Sequence, residues 1–137
     1  MSPLASTSNG TLVLDCEGLA KAVLRDRDVN EWLAAAWDED SRVITSAATL
    51  TEVVHPRIRV TALEWTLSRL TVEPVTEAIS RQAIRLLHSA GLHGHKHAID
   101  AMLAATALAA PPPVIILTSD PGDLTALCGT GATIVKV

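Results

Sequence analysis

Residues 114–128 read Val-Ile-Ile-Leu-Thr-Ser-Asp-Pro-Gly-Asp-Leu-Thr-Ala-Leu-Cys. Val114 to Leu117 is an unbroken apolar run rich in β-branched residues, and a strand that is apolar on both sides has to be covered on both faces. The spacing predicts a strand over Val114–Thr118, a turn in Thr118-Ser-Asp-Pro-Gly-Asp-Leu124, and a short helix near Leu124–Cys128. A buried strand leading through a turn into a helix is the βα step of a parallel sheet. The turn also carries two hydroxyls, Thr118 and Ser119, and two aspartates, Asp120 and Asp123. Asp-Pro-Gly is good turn chemistry and Asp caps helices, but strand ends are also where α/β folds bind ligands. At this point both readings stand.

Upstream the same alternation recurs. Thr11-Leu-Val-Leu-Asp15 is a second buried strand, followed by helices over Gly18–Asp26 and Asn30–Asp40, the latter capped by Asn30. Arg42–Thr45 is extended. Ser46 caps a helix over Ala47–Val54 that ends before Pro56. Val60–Leu70 sets Val60, Leu63, Leu67 and Leu70 on one helical face, and Val72–Val75 is a brief extended piece. From Thr76 an amphipathic helix puts Ile79, Ala83, Leu86, Leu87 and Ala90 on its dry side and stops at Gly91. A helix over Lys96–Ala110 precedes Val114, and a last strand covers Ala132–Val137. The expected fold class is therefore α/β, with a central parallel sheet. The small, polar residues 1–10 read as a flexible N-terminal tail and 11–137 as a single domain.

Composition excludes several functions. Hydrophobic residues at 48% and charged residues at 19% describe a chain with a packed core. No apolar run approaches the ~20 residues of a membrane span, and no targeting segment is evident, so the expected location is the cytoplasm. Cys16 and Cys128 then read as reduced thiols. A net charge of −4 argues against a broad nucleic-acid surface, though not against a nuclease whose acids hold cations. Three Trp with no Phe or Tyr make a base-stacking platform a poor expectation.

Four acids stand apart. Most carboxylates, such as Asp26, Asp28, Asp38, Glu39 and Asp40, lie among polar neighbours and read as solvated surface. Asp15 and Asp120 instead close apolar strands, and Glu52 is the one charge in Ala47–Val54. Asp100 is the one formal charge between Lys96 and Asp120, in a helix apolar nearly all round. An isolated carboxylate there is costly unless compensated. For Asp15, Glu52 or Asp120 singly, a cap or a backbone hydrogen bond suffices as compensation. For Asp100, in its apolar helix, that compensation is the lesser of the two readings. Only Lys96 is a nearby cation in sequence. Two carboxylates ~4 Å apart repel by roughly 4 kcal/mol at an effective dielectric of about 20. Four converging would either take up protons or hold a divalent ion, Mg²⁺ or Mn²⁺ rather than zinc for oxygen-only donors. Such an ion, with much of its shell left to water and phosphate, suits phosphodiester hydrolysis.

In order and surroundings these acids resemble those of the PIN-domain ribonucleases, and within them the VapC-like toxins of bacterial toxin–antitoxin pairs. The pieces that carry the likeness are Leu12-Val-Leu-Asp15, Leu50-Thr-Glu-Val-Val54, the stretch from His97 to Leu108, and Thr118–Leu124. The resemblance implies a three-layer α/β/α PIN-like domain and Mg²⁺- or Mn²⁺-dependent cleavage of RNA. Asp15, Glu52, Asp100 and Asp120 would be its catalytic acids, with Asp15, Asp100 and Asp120 holding the metal. Thr118, Ser119 and Asp123 would assist at the edge. It implies a cognate antitoxin that blocks the groove, and a homodimer. One departure is Glu17, where many relatives carry a small polar residue; it either starts the first helix or enlarges the metal site. The alternative is a catalytically idle PIN-like module that dimerises or sequesters a partner, against which stands the presence of all four acids. A phospho-receiver fits poorly, because the first strand does not end in paired acids.

Other residues carry two readings each. His93, His95 and His97 form either a Gly-rich exposed loop or a metal tract, and no Cys or acid accompanies them at zinc spacing. His97, three residues before Asp100, is placed to touch a phosphate, His55 less so; Arg57 and Arg59 are either surface charge or guides for an RNA backbone. Trp37 with Leu33 reads as core. Trp65 lies off the leucine face of its helix, as a partner's anchor or as packing against a neighbouring helix.

Overall fold

The strands that were expected to be sandwiched are sandwiched. The computed structural model describes residues 9–137, so residues 1–8 of the expected tail lie outside the described residues. The described chain runs β1 (Thr11–Leu14), α1 (Cys16–Val23), α2 (Arg27–Asp38), β2 (Arg42–Ser46), α3 (Thr49–Glu52) and α4 (Val60–Leu67). It continues with β3 (Thr71–Glu73), α5 (Glu77–Ala90), α6 (Gly94–Leu108), β4 (Val114–Thr118), α7 (Pro121–Cys128) and β5 (Thr133–Lys136). All strand pairs are parallel, in the order β3-β2-β1-β4-β5.

Alternation along the strands feeds two cores. Val13, Ile44, Val114 and Ile116 face α5, α6 and α7, where Ala83, Ala101, Leu103, Ala104 and Leu124 close the layer. Leu12, Leu14, Val43 and Leu117 face the other way, against Leu19, Val29, Leu33 and Leu63 of α1, α2 and α4. Three layers result, and β1, buried along its whole length, is the axis of the sheet. From β1 the chain lays strands to one side, then returns to lay β4 and β5 on the other. The strand order therefore switches between β1 and β4, and their C-terminal ends open a crevice there.

Local chemistry shifts several expected boundaries. Asp26, not Asn30, caps α2: its carboxylate accepts from the Val29 N–H at 3.1 Å, and Asn30 is exposed within the helix. α3 is a single turn, shorter than the expected Ala47–Val54; Ser46 belongs to β2, and its hydroxyl accepts from the Ala48 N–H. Pro121 opens α7 three residues earlier than expected, because its fixed φ suits a first helical position whose N–H has no partner to lose. α6 begins at Gly94 and kinks at His97 (φ −118°, ψ 18°). Val60 is not on the packed face of α4; it is 72% exposed. Nor is Trp37 core. It is 37% exposed, with the Arg69 guanidinium 4.9 Å from its ring; Arg69 and Arg25 also flank Trp65, itself 56% exposed. No helix among the described residues is long and apolar enough to cross a membrane.

Candidate metal centre

Asp15 follows β1 and Asp120 follows β4, so adjacent parallel strands deliver two carboxylates to the same crevice. Asp15 is the more constrained. Its N–H donates to the Leu117 carbonyl (3.3 Å), and its Oδ1 accepts from the Gly18 N–H at 2.8 Å, capping α1. Gly18 is required there, since a Cβ on it would lie 2.8 Å from the Leu117 carbonyl oxygen. Asp15 is only 5% exposed. Burial pushes its carboxyl up from 3.8 to about 6; the bonds from Gly18 and the Thr118 side chain oppose that rise, while Glu17 and Asp100 add to it. The Thr118 hydroxyl accepts from the Asp120 N–H at 3.1 Å and has one proton to give. Both the Asp120 carbonyl, 3.3 Å away, and the Asp15 carboxylate lie within its reach.

Asp100 reaches the crevice from α6. Its carboxyl is raised first by burial, then by the charges of Glu52, Asp123 and Asp120, with His97 opposing. Glu52, at the end of α3, is exposed. Asp120 is exposed at the N-cap position of α7, yet its side chain makes no capping bond. The helix cap therefore does not account for that aspartate. Asp123, in the first turn of α7, lies with Oδ2 3.2 Å from His97 Nδ1.

The structure thus brings Asp15, Glu52, Asp120 and Asp123 within electrostatic reach of Asp100. Among the described residues no Lys or Arg is ion-paired with any of them. The closest grouping of possible ligand atoms differs from the expected Asp15, Asp100 and Asp120: one atom each of His97, Asp100 and Asp123 lie within 4.8 Å of one another. Carboxylates that disfavour one another's ionisation, without a protein cation to neutralise them, are a donor set that fits a divalent ion. Glu52 separates two shallow grooves, one bounded by Lys21, His55 and Ser119, the other by His95, Lys96 and Asp100. The larger cavity beside Trp32 and Pro113, about 300 Å³, takes in Thr11 at the start of β1 and none of these five acids. His93, Arg57 and Arg59 are exposed and line neither groove.

Cys16 has a part here that its sequence position did not reveal. It is half-buried, and its thiol is pushed up to about 12 by burial and then by Asp15 and Glu52, to which it also hydrogen-bonds. A thiol so held stays protonated and donates to Glu52. The signal available was its place immediately after Asp15. Glu17 lies in the first turn of α1, as one of its two readings had it.

The sequence profile of the PIN domain matches residues 13–122. Among solved structures the chain is similar to VapBC2 from Rickettsia felis bound to a DNA fragment from the promoter (TM-score 0.70, 15% identity, covering 93% of this chain and 98% of that one). It is similar also to FitAcB from Neisseria gonorrhoeae (TM-score 0.60, 20% identity, 91% and 96% covered). FitAB bound to an IR36 DNA fragment follows (TM-score 0.59, 22% identity, 91% and 94% covered). At these identities the likeness is one of fold. No curated protein sequence matches the chain.

Proposed function

We propose that this chain, which belongs to the PIN domain family, is a divalent-metal-dependent endoribonuclease acting as the toxin of a toxin–antitoxin pair. The observation that carries the reading is the convergence of Asp15, Glu52, Asp100 and Asp120 at the crevice between β1 and β4, with no Lys or Arg paired to them among the described residues. Asp15, Asp100 and Asp120 would hold the cation, Mg²⁺ or Mn²⁺, and Asp123 stands beside them. When bound, such an ion supplies Lewis acidity toward a phosphoryl oxygen and offsets charge that develops on phosphate.

The chain's own groups do the remaining work. Gly18 and Thr118 fix the Asp15 carboxylate so that it needs no reorganisation when a ligand arrives. Glu52 is exposed at the end of α3, so its carboxylate can reach a water and accept its proton as it attacks phosphorus. Ser119 and Lys21 on one side and Lys96 on the other border the approach, where cations favour an RNA backbone. The VapBC2 and FitAB structures are complexes, and a cognate antitoxin over this crevice, together with a homodimer, completes the reading.

Chelator-stripped protein given Mg²⁺ or Mn²⁺ is expected to cleave RNA. Asp100→Asn is expected to lose activity by about 10²-fold or more. Wild-type protein that binds either ion but leaves RNA intact, or an Asp100→Asn variant as active as wild type, would overturn the assignment in favour of an idle binding module.

A further inference from the structure

His97 is set apart from the other histidines near the start of α6. His93 and His95 are exposed, whereas the side chain of His97 is 13% exposed and turned toward the acids. His97 and Asp100 stand one turn apart on α6, and Asp123 comes to them from α7. The Nδ1 to Oδ2 separation of 3.2 Å suits two neighbouring ligands of one ion as well as it suits a hydrogen bond. Asp100 completes the group, with one ligand atom from each of the three residues within 4.8 Å of the others.

We infer that an imidazole nitrogen of His97 joins the Asp100 and Asp123 carboxylates in the donor set of the cation, and that the site therefore selects a first-row transition ion, Mn²⁺, over Mg²⁺. The inference rests on the reading above for the presence of a cation; it concerns which ion and which atoms. Mg²⁺ favours oxygen donors and keeps much of its water, so an imidazole adds little to its binding. Borderline nitrogen donors strengthen binding of transition ions more. The grouped atoms include no cysteine sulfur, so the set is one of nitrogen and oxygen and lacks the soft donor that marks a structural zinc site. An all-carboxylate crevice would accept either ion with little preference. The one nitrogen makes the difference.

Calorimetric titration of chelator-stripped, full-length protein with Mn²⁺ and, separately, Mg²⁺ tests this, together with pulsed electron paramagnetic resonance of the Mn²⁺-loaded protein. Wild type is expected to bind Mn²⁺ at least about tenfold more tightly than Mg²⁺ and to show hyperfine coupling to an imidazole ¹⁴N. His97→Ala is expected to weaken Mn²⁺ binding by about 10- to 100-fold, to change Mg²⁺ binding by less than about threefold, and to lose the ¹⁴N signal. His97→Gln keeps a polar side chain of similar reach should the alanine loosen α6, and the ¹⁴N measurement on wild type needs no variant. Mn²⁺ bound without ¹⁴N coupling, or equal loss of both ions in the variants, overturns the inference and leaves the nuclease reading intact. Failure of wild type to bind either ion overturns both.

Discussion

Asp15→Asn isolates the cost of keeping a charge at the end of β1. The carboxyl is raised from 3.8 to about 6, chiefly by burial, and its 5% exposure leaves little solvent to screen it. A raised folded-state pKa means that the folded chain holds this proton more tightly than the unfolded one. The resulting stabilisation is therefore complete below pH 3.8 and is lost as pH rises through about 6. At about 1.36 kcal/mol per pH unit, the charge costs the metal-free protein about 3 kcal/mol at neutrality, of which about 1.4 kcal/mol falls between pH 5 and 7.5. Asparagine keeps a side-chain oxygen for the Gly18 N–H, so the α1 cap survives while the charge goes. Urea unfolding followed by circular dichroism, with excess EDTA, should find the variant more stable than wild type by about 2–3 kcal/mol near pH 7.5, and by roughly half that near pH 5. Saturating Mn²⁺ should restore wild type selectively, by about 2.7 kcal/mol at a hundred times its dissociation constant. A variant less stable than wild type near pH 7.5 in EDTA, or a gap that fails to narrow toward pH 5, would refute the reasoning.

Three further outcomes are expected. Gly18→Ala places a methyl 2.8 Å from the Leu117 carbonyl oxygen, and a loss of about 1–3 kcal/mol in urea unfolding is expected; unchanged stability would show that α1 can move away. Iodoacetamide at pH 8 should label Cys16 at least about a hundredfold more slowly than free cysteine, since a thiol held near 12 leaves little thiolate, and mass spectrometry of the modified peptide reads this directly. Leu103→Ala, at a fully buried site, should cost about 2–5 kcal/mol, whereas Trp65→Ala should cost about 1 kcal/mol from its stacked arginines; similar losses at both would mean that Trp65 is structural.

Much of this architecture is legible in short stretches. Leu12-Val-Leu14 and Val114–Leu117 are apolar on both sides, and that alone requires a covered, parallel sheet. Thr76 and Gly91 bound α5 as their local chemistry dictates: a hydroxyl that accepts from the Ile79 N–H, and a residue at φ +67°. Asp26 and Asn30 both carry capping side chains, so the start of α2 is decided by the need to bury Val29, Leu33 and Ala36 together. What escapes the sequence is contact across long separations. Trp37 lies partly outside, where Arg69 of a later segment meets its ring. The pairing of His97 with Asp123 depends on α6 and α7 meeting, and Cys16 acquires its acceptor when α3 brings Glu52 beside α1. The acids themselves stood out because an uncompensated charge in an apolar stretch is anomalous wherever it occurs. Their grouping is a property of the fold.

The alignment of β1 with β4, which sets Leu14 against Leu117, also bears on the birth of the protein. During synthesis the first of these strands leaves the ribosome roughly a hundred residues before the second, and pairings so distant form late. Until Asp120 has emerged and the two strands have joined, the crevice that gathers Asp15 and Asp120 does not exist. A site assembled in this order is among the last features of the chain to form.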